Sequence, residues 1–323
     1  MRALVTGGAG FIGSTLVDAL IERGDDVVVL DDLSAGSLDQ VGPAAAVVRG
    51  DVADPDTCAA AVRGCDVVFH LAAHRSVVRS VDHPIRTNRA NVDGTLNVLV
   101  AARDAGVRRV VYSSSSSVYG GAARFPTPED EPLRPRSPYA VTKVAGEHYC
   151  RVFWELFDVE TVSLRYFNVF GPRQRPDSRY ATVIPAFISA LRSGLPVEIH
   201  GDGTQRRDFS FVGDVVRATL LAGESAADTC AGRAYNVAGG RSLSILELLD
   251  SLARVMGVEP RTHHQPPRPG DVSATHADLA AIEADLGFVP AVTLEDGLAR
   301  TVEGFLDAPA TQTRLAAVAP SER

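Results

Sequence analysis

The segment Gly7-Gly8-Ala9-Gly10-Phe11-Ile12-Gly13 constrains this chain more than any other. It follows the apolar run Ala3-Leu4-Val5-Thr6 and opens the helical pattern Ile12–Arg23. Glycines at 7, 10 and 13 permit a tight turn, a close backbone approach to a pyrophosphate and close packing of helix on sheet. The helix N-terminus, with Phe11 and Ile12, then offers free N–H groups to the anion. A glycine pattern alone marks only a turn. Here a strand precedes it, a helix follows it, and Asp31 closes the second apolar run, Val27–Leu30, at the spacing of a ribose-binding acid. A carboxylate at that place accepts hydrogen bonds from the ribose 2′-hydroxyl and repels a 2′-phosphate, so the expected cofactor is NAD. Asp51-Val52, after Ala46-Val47-Val48, is placed to meet the adenine edge, although Asp51 is equally at home as a turn residue.

The fold class follows from the spacing of apolar runs. Ala3–Thr6, Val27–Leu30, Val67–Leu71 and Val110–Ser113 are brief, β-branched and apolar on both faces. Helical segments such as Ile12–Arg23 and Val92–Ala105 lie between them. This alternation predicts an α/β protein with a doubly wound parallel sheet (Rossmann) covered on both sides. Prolines and glycines then become frequent between Pro172 and Gly203 and between Pro260 and Gly270, which predicts a smaller C-terminal α/β lobe for substrate. The expected divisions are a cofactor domain over 1–165, a lobe over 166–306 and a flexible tail over 307–323. Phe209–Val212 and Ala234–Val237 are strand-like, so 209–237 is expected to return to the first domain.

Composition narrows the function classes. The chain has 323 residues, 45% of them hydrophobic, enough for a sizeable core. A net charge of -8 without a basic run argues against nucleic acid as a partner. Cys58, Cys65, Cys150 and Cys230 lack C-x-x-C spacing and are expected as reduced thiols, with no metal site. No apolar run is long enough for a signal peptide or a membrane span, so a cytoplasmic location is expected.

Tyr139-Ala140-Val141-Thr142-Lys143 carries the chemistry. Four residues apart on a helix, the phenol and the ammonium share a face. A nearby Lys⁺ and a positive nicotinamide favour phenolate, which predicts a lowered tyrosine pKa. Ser113-Ser114-Ser115-Ser116-Ser117 closes a strand before Val118-Tyr119-Gly120, and a serine there can reach both a substrate hydroxyl and the tyrosine.

Taken with Leu71-Ala72-Ala73 and Arg165-Tyr166-Phe167-Asn168, these motifs resemble the extended short-chain dehydrogenase/reductase superfamily, and within it the UDP-sugar 4-epimerases, over about residues 1 to 305. The resemblance implies that Tyr139 is the base, that Lys143 orients cofactor and base, and that Ser115 is the third member, with Ser114 or Ser116 as the alternatives. It places Leu71, Ala72, Ala73, Tyr166 and Phe167 along the cofactor, with Asn91 as a helper on that side. It assigns Asn168, Arg207 and Arg268 to the uridine diphosphate sugar, a role for which guanidinium forks suit phosphate oxygens. Dehydratases and decarboxylases of the superfamily carry acids before the Val-Tyr-Gly segment. Ser116 and Ser117 stand there instead, which favours plain epimerisation.

Gly171-Pro172-Arg173-Gln174-Arg175-Pro176-Asp177 is similar to the version in UDP-hexuronate 4-epimerases, with Arg175 facing a sugar carboxylate and Arg179 in reserve. Asn168, where many of those enzymes have threonine, departs toward the neutral-sugar branch. The expected reaction is inversion of C4 through a 4-keto intermediate, UDP-glucuronate to UDP-galacturonate, with UDP-glucose or UDP-N-acetylglucosamine as the alternative. A non-catalytic NAD-sensing protein is the remote rival, and it would have no need to keep Tyr139, Lys143 and the serines together. The helices Val92–Ala105 and Lys143–Phe157 match the pair that forms a dimer bundle in relatives, so a homodimer is expected.

Overall fold

The computed structural model describes residues 1–174, 182–267 and 272–307. The first half runs β1 (Arg2–Thr6), α1 (Phe11–Glu22), β2 (Asp26–Asp31), β3 (Ala46–Arg49), α2 (Pro55–Ala61), β4 (Val67–His70), α3 (Val77–Asp82), α4 (Pro84–Asn88), α5 (Gly94–Asp104), β5 (Arg109–Ser115), α6 (Pro138–Phe157) and β6 (Glu160–Tyr166). The second half adds β7 (Val169–Phe170), α7 (Val183–Arg192), β8 (Val197–His200), β9 (Arg206–Asp208), β10 (Ser210–Phe211), α8 (Val212–Glu224), α9 (Ala227–Cys230), β11 (Arg233–Val237), β12 (Ser242–Ser244), α10 (Ile245–Met256), β13 (Thr262–Gln265), α11 (Ala280–Leu286) and α12 (Leu294–Asp307).

Seven strands make one parallel sheet in the order β11-β6-β5-β4-β1-β2-β3. The expected doubly wound fold is therefore present. The winding reverses between β1 and β4, and a crevice opens outside their carboxyl ends. Apolar strand runs face helices on both sides. Leu16, Val17 and Leu20 of α1 and Val215 and Val216 of α8 cover one face. Val98 and Leu99 of α5, with Cys150 and Phe153 of α6, cover the other. A separate cluster of Phe170, Phe187, Ile188, Leu248, Leu252 and Leu298 forms the core of the second lobe.

Two elements differ from expectation. Phe209–Val212 is not one strand: β10 spans Ser210–Phe211, and Val212 opens α8. Val212, Val215, Val216 and Thr219 recur at helical spacing on the buried face, and that period overrides the β-branched composition. The helix expected from Val92 begins instead with a π-helical turn over Arg89–Asp93. Thr95 Oγ1, in the first turn of α5, donates back to Asn91 O of this turn at 2.6 Å.

The placement of α6 decides the site. Ser137 caps it by accepting from Ala140 N at 3.1 Å, Pro138 occupies its first turn, and Ser80 Oγ of α3 accepts from Tyr139 N at 3.1 Å. Its seat on β5 exists only because residue 146 is glycine, since a Cβ there would overlap the Tyr112 hydroxyl. Gly146→Ala is expected to cost about 1–3 kcal/mol, the scale for overpacking a core. Denaturant unfolding measures this, and an unchanged midpoint would show that the helix is not seated so tightly.

Candidate active site

The glycine turn separates what the protein needs from what a ligand needs. Gly7 has φ +71°, and a Cβ there would sit 2.8 Å from Ala72 N. A Cβ on Gly13 would overlap the Gly7 carbonyl oxygen. Those two glycines are demanded by the chain's own packing. A Cβ on Gly10 would meet only Gly7 O, at 3.2 Å, so the need for glycine there comes mainly from whatever approaches the turn. No side chain caps α1, which leaves the N–H groups of Phe11 and Ile12 for an anion.

Asp31 stands at the end of β2, buried. Its Oδ2 accepts from Ala9 N at 3.0 Å and its Oδ1 from Leu33 N at 2.8 Å. Burial pushes its carboxyl up, and these two N–H groups work against that. Each oxygen keeps a lone pair for a ribose hydroxyl. The residues fit NAD: an uncapped helix start for the pyrophosphate and a fixed carboxylate for the adenosine ribose. Leu71 N and Ala72 N bind Thr6 O at 3.1 Å and Thr6 Oγ1 at 3.2 Å, which lays Leu71–Ala73 along the crevice beside Gly7. Asp51 is an exposed turn residue whose Oδ1 accepts from Ala53 N at 2.9 Å, and Val52 is buried.

The three catalytic candidates come together. Ser115 hydrogen-bonds the Tyr139 phenol, and its Oγ also accepts from Ser117 N at 3.2 Å. Ser114 points the other way and donates to Glu147, so Ser115 is the serine that the fold brings to Tyr139. Lys143 Nζ donates to Ser113 O at 2.6 Å and lies 4.9 Å from the Tyr112 ring centroid and 5.9 Å from that of Tyr139. Burial lowers its ammonium to about 8. The lowering expected for Tyr139 is not found in the chain itself. Burial raises that phenol, and the Ser115 hydrogen bond and the Arg75 charge oppose the rise. Burial is the larger effect, which explains the difference.

The remaining candidates divide. Tyr166 lies beside Ser115 across β5–β6, but its hydroxyl pairs with Thr219 at 2.7 Å in the core, so only its main chain is left at the strand end. Phe167 is buried against Val118 and Tyr119. Asn91 is fully engaged: its Oδ1 accepts from His74 N at 2.7 Å, and its Nδ2 donates to His74 O at 3.2 Å and to Thr142 Oγ1 at 2.9 Å. It joins the loop after β4 to α6 and thus supports the cofactor side indirectly. Asn168 is exposed, with φ +24°, and accepts from Thr275 Oγ1 at 3.4 Å. Arg207 is buried on β9, with Nη1 donating to Arg206 O at 2.8 Å. Arg175, Arg179 and Arg268 lie outside the described residues.

A profile of the NAD dependent epimerase/dehydratase family matches residues 3–238. The chain belongs to this family. It is 44% identical to a UDP-glucose 4-epimerase of Mycolicibacterium smegmatis, over 94% of this chain and 98% of that one. It is 38% identical to the UDP-glucose 4-epimerase of Thermotoga maritima solved with UDP-glucose, at a TM-score of 0.91, covering 95% of this chain and 99% of that one. MoeE5, solved with UDP-glucuronic acid and NAD, is also 38% identical, at a TM-score of 0.86, with 95% and 99% covered. NAD is the cofactor of the family, as Asp31 led us to expect.

A buried polar chain that the sequence did not reveal ties β1 to α6. Thr6 Oγ1 meets His70 Nδ1 at 2.7 Å, and His70 Nε2 meets Thr95 Oγ1 at 3.0 Å. The single Thr95 proton goes to Asn91 O, so Nε2 carries the ring proton and Nδ1 accepts from Thr6. Asn91 then reaches Thr142, which donates to Tyr139 O at 2.7 Å. Arg75 was missed too; its one signal is that it stands two residues after Leu71-Ala72-Ala73.

His70 is neutral in the fold, its pKa lowered to about 3 by burial and then by the Lys143 charge. An unfolded histidine binds a proton below about 6.5. Between pH 7 and 5 the unfolded state therefore takes up a proton that the folded state refuses, and stability falls. The loss should be about 2 kcal/mol from this group. It is measured as the difference in pH slope of the unfolding free energy between wild type and His70→Asn, and equal slopes would show that His70 protonates freely in the fold.

Proposed function

We propose that the chain is a UDP-sugar 4-epimerase. One observation carries the reading: Tyr139, Ser115 and Lys143 meet at the carboxyl end of β5, with Ser116 and Ser117 where an elimination or decarboxylation would need an acid. NAD, held by the turn over Gly7–Gly13 and by Asp31, would supply hydride chemistry at C4 of the sugar. Tyr139 holds and moves the C4 hydroxyl proton at its Oη. Ser115 orients both that hydroxyl and the phenol, and Lys143 keeps positive charge next to them. Asn168 and Arg207 are the residues we assign to the sugar nucleotide, where Arg207 suits a diphosphate oxygen. Because hydride is returned, no net NADH should accumulate, which separates this reading from a dehydrogenase.

The sugar we propose is glucose or galactose, on the strength of the 44% identical Mycolicibacterium relative. A uronate is the second reading. It is favoured by Arg175 in the sequence and by the relative solved with UDP-glucuronic acid. We also propose a homodimer through α5 and α6. Val141, Val152 and Leu156 are exposed apolar residues along one side of α6, and Leu156 is 69% exposed. Replacing Val152 and Leu156 together by Glu should give monomers in analytical ultracentrifugation, and a monomeric wild type would end this assignment.

Tyr139→Phe should keep its fold and bound NAD while turnover falls about 10²-fold or more, the scale for removing a general base. Turnover is read by NMR of the 4-epimers formed from a panel of UDP-sugars, and near-normal turnover would refute the role. For the sugar, kcat/KM is compared on UDP-glucose and UDP-glucuronate in wild type and Arg175→Ala. The uronate reading requires a loss of about 2–4 kcal/mol of transition-state binding confined to UDP-glucuronate, the scale for stranding a charge partner. Equal losses on both sugars would leave the neutral-sugar reading alone.

A further inference from the structure

Beneath the catalytic group lies a buried ion pair that the reaction does not use directly. Glu147 stands one turn beyond Lys143 on α6, so Tyr139, Lys143 and Glu147 share one face of the helix. Its carboxylate takes the Arg165 fork, Nε to Oε1 at 3.0 Å and Nη2 to Oε2 at 2.7 Å, and both side chains are buried. The Ser114 hydroxyl donates to Oε1 of the same carboxylate. Arg165 also donates through Nη1 to Tyr119 Oη at 2.9 Å and Glu129 O at 2.8 Å, and the Tyr119 hydroxyl donates to Asn236 Oδ1 of β11 at 2.7 Å. One carboxylate thus joins α6, β5 and β6, the three elements that carry the site, and through Arg165 reaches β11.

We propose that Glu147 is a positioning residue: clamped by Arg165 and Ser114, it locks the end of β5 against α6 so that Ser115 and Lys143 meet Tyr139 in one arrangement. The proposal rests on the epimerase reading for its kinetic consequence. Stability alone is a weak reason for such a pair, because desolvating both charges offsets much of their attraction and apolar replacements of buried pairs are often neutral. Geometry is a better reason. Successive side chains of a strand point to opposite faces, so holding Ser114 inward on Glu147 turns Ser115 outward to Tyr139.

Charge is the second reason. Lys143 is the sole lysine among the chain's 32 basic residues. Every other cation is an arginine, which does not lose its proton at accessible pH. Facing the Lys143 amine are Tyr139, Glu147 and Cys150 from its own helix, Tyr112 and the Ser113 carbonyl from β5, and His70 from β4. Burial keeps the Cys150 thiol neutral to about 12, raises both phenols, and keeps His70 neutral down to about 3. Over the working range, the charge that supports the Lys143 ammonium therefore comes from Glu147, itself held by Arg165.

A single lysine also makes the test direct. Holoprotein labelled with 13C-lysine has one ε-methylene signal, whose pH titration reports Lys143 without any turnover. In Glu147→Gln the midpoint should fall by about one pH unit, the scale for losing a near opposite charge. The alkaline limb of the kcat–pH profile should move down with it. In Ser114→Ala the ammonium midpoint should stay in place while kcat falls about tenfold at unchanged KM, because Ser115 loses its aim. The proposal is overturned if Glu147→Gln titrates as wild type does. Should Glu147→Gln fail to fold, wild-type kcat in Ser114→Ala overturns it. If the wild type epimerises no UDP-sugar, the substrate reading fails by itself, and the lysine midpoint still decides the role of Glu147.

Discussion

The site depends first on steric exclusion at the turn after β1. Gly13 packs against the Gly7 carbonyl and Gly7 against the Ala72 backbone, with no room for a side chain at either place. This contact brings the end of β1, the start of α1 and the loop after β4 to one point. The parallel sheet then does the rest. Its winding reverses between β1 and β4, which opens a crevice at the strand ends beside this turn. Ser115 ends β5, one strand further along, and reaches the same crevice.

Steric fit places the cofactor strands and, at Gly146 against Tyr112, lets α6 approach β5, but it does not fix that helix along its axis. That helix is held by polar contacts at three levels: Ser80 and Ser137 at its first turn, Asn91 at Thr142, and Arg165 and Ser114 at Glu147. Tyr139 and Lys143 lie between the first level and the last, so neither can shift along the helix axis without breaking bonds at both ends. The cost of burying these groups is met because each has a partner, and a half-satisfied network would be worse than an apolar one.

What was legible in the sequence was local. The glycine turn, Asp31, the strand runs and the tyrosine–lysine pair each declare themselves within a few residues, through periodicity or backbone demand. What was not legible depends on partners far along the chain. Glu147 in a helix looks like one more solvated acid until β6 brings Arg165 beneath it. Asn91 looks like a cofactor ligand until His74 and Thr142 occupy its amide. Tyr166 looks exposed to the cofactor until Thr219 of α8 takes its hydroxyl. Val212 looks like strand because β-branched residues favour strands, and only the buried face of α8 shows the helical period. Tyr139 departs from expectation for the same reason: the sequence counts a nearby lysine but not the burial that raises the phenol.

The Ser113 carbonyl explains why residue 143 is an amine in a chain that otherwise uses arginine. The space around Nζ offers one carbonyl acceptor, Ser113 O, and two ring faces. An ammonium has three donors, so one goes to the carbonyl and the others remain for the crevice. A guanidinium would bring five donors in a fixed plane into a pocket that offers few acceptors, and would leave some of them buried and unsatisfied. Its charge would also be permanent. An ammonium that burial has brought to about 8 can respond to its surroundings near the working pH, whereas an arginine cannot. Arginine serves everywhere else in this chain but not at this position, where Ser113 on one side and Glu147 on the other fix both the direction and the charge of the amine.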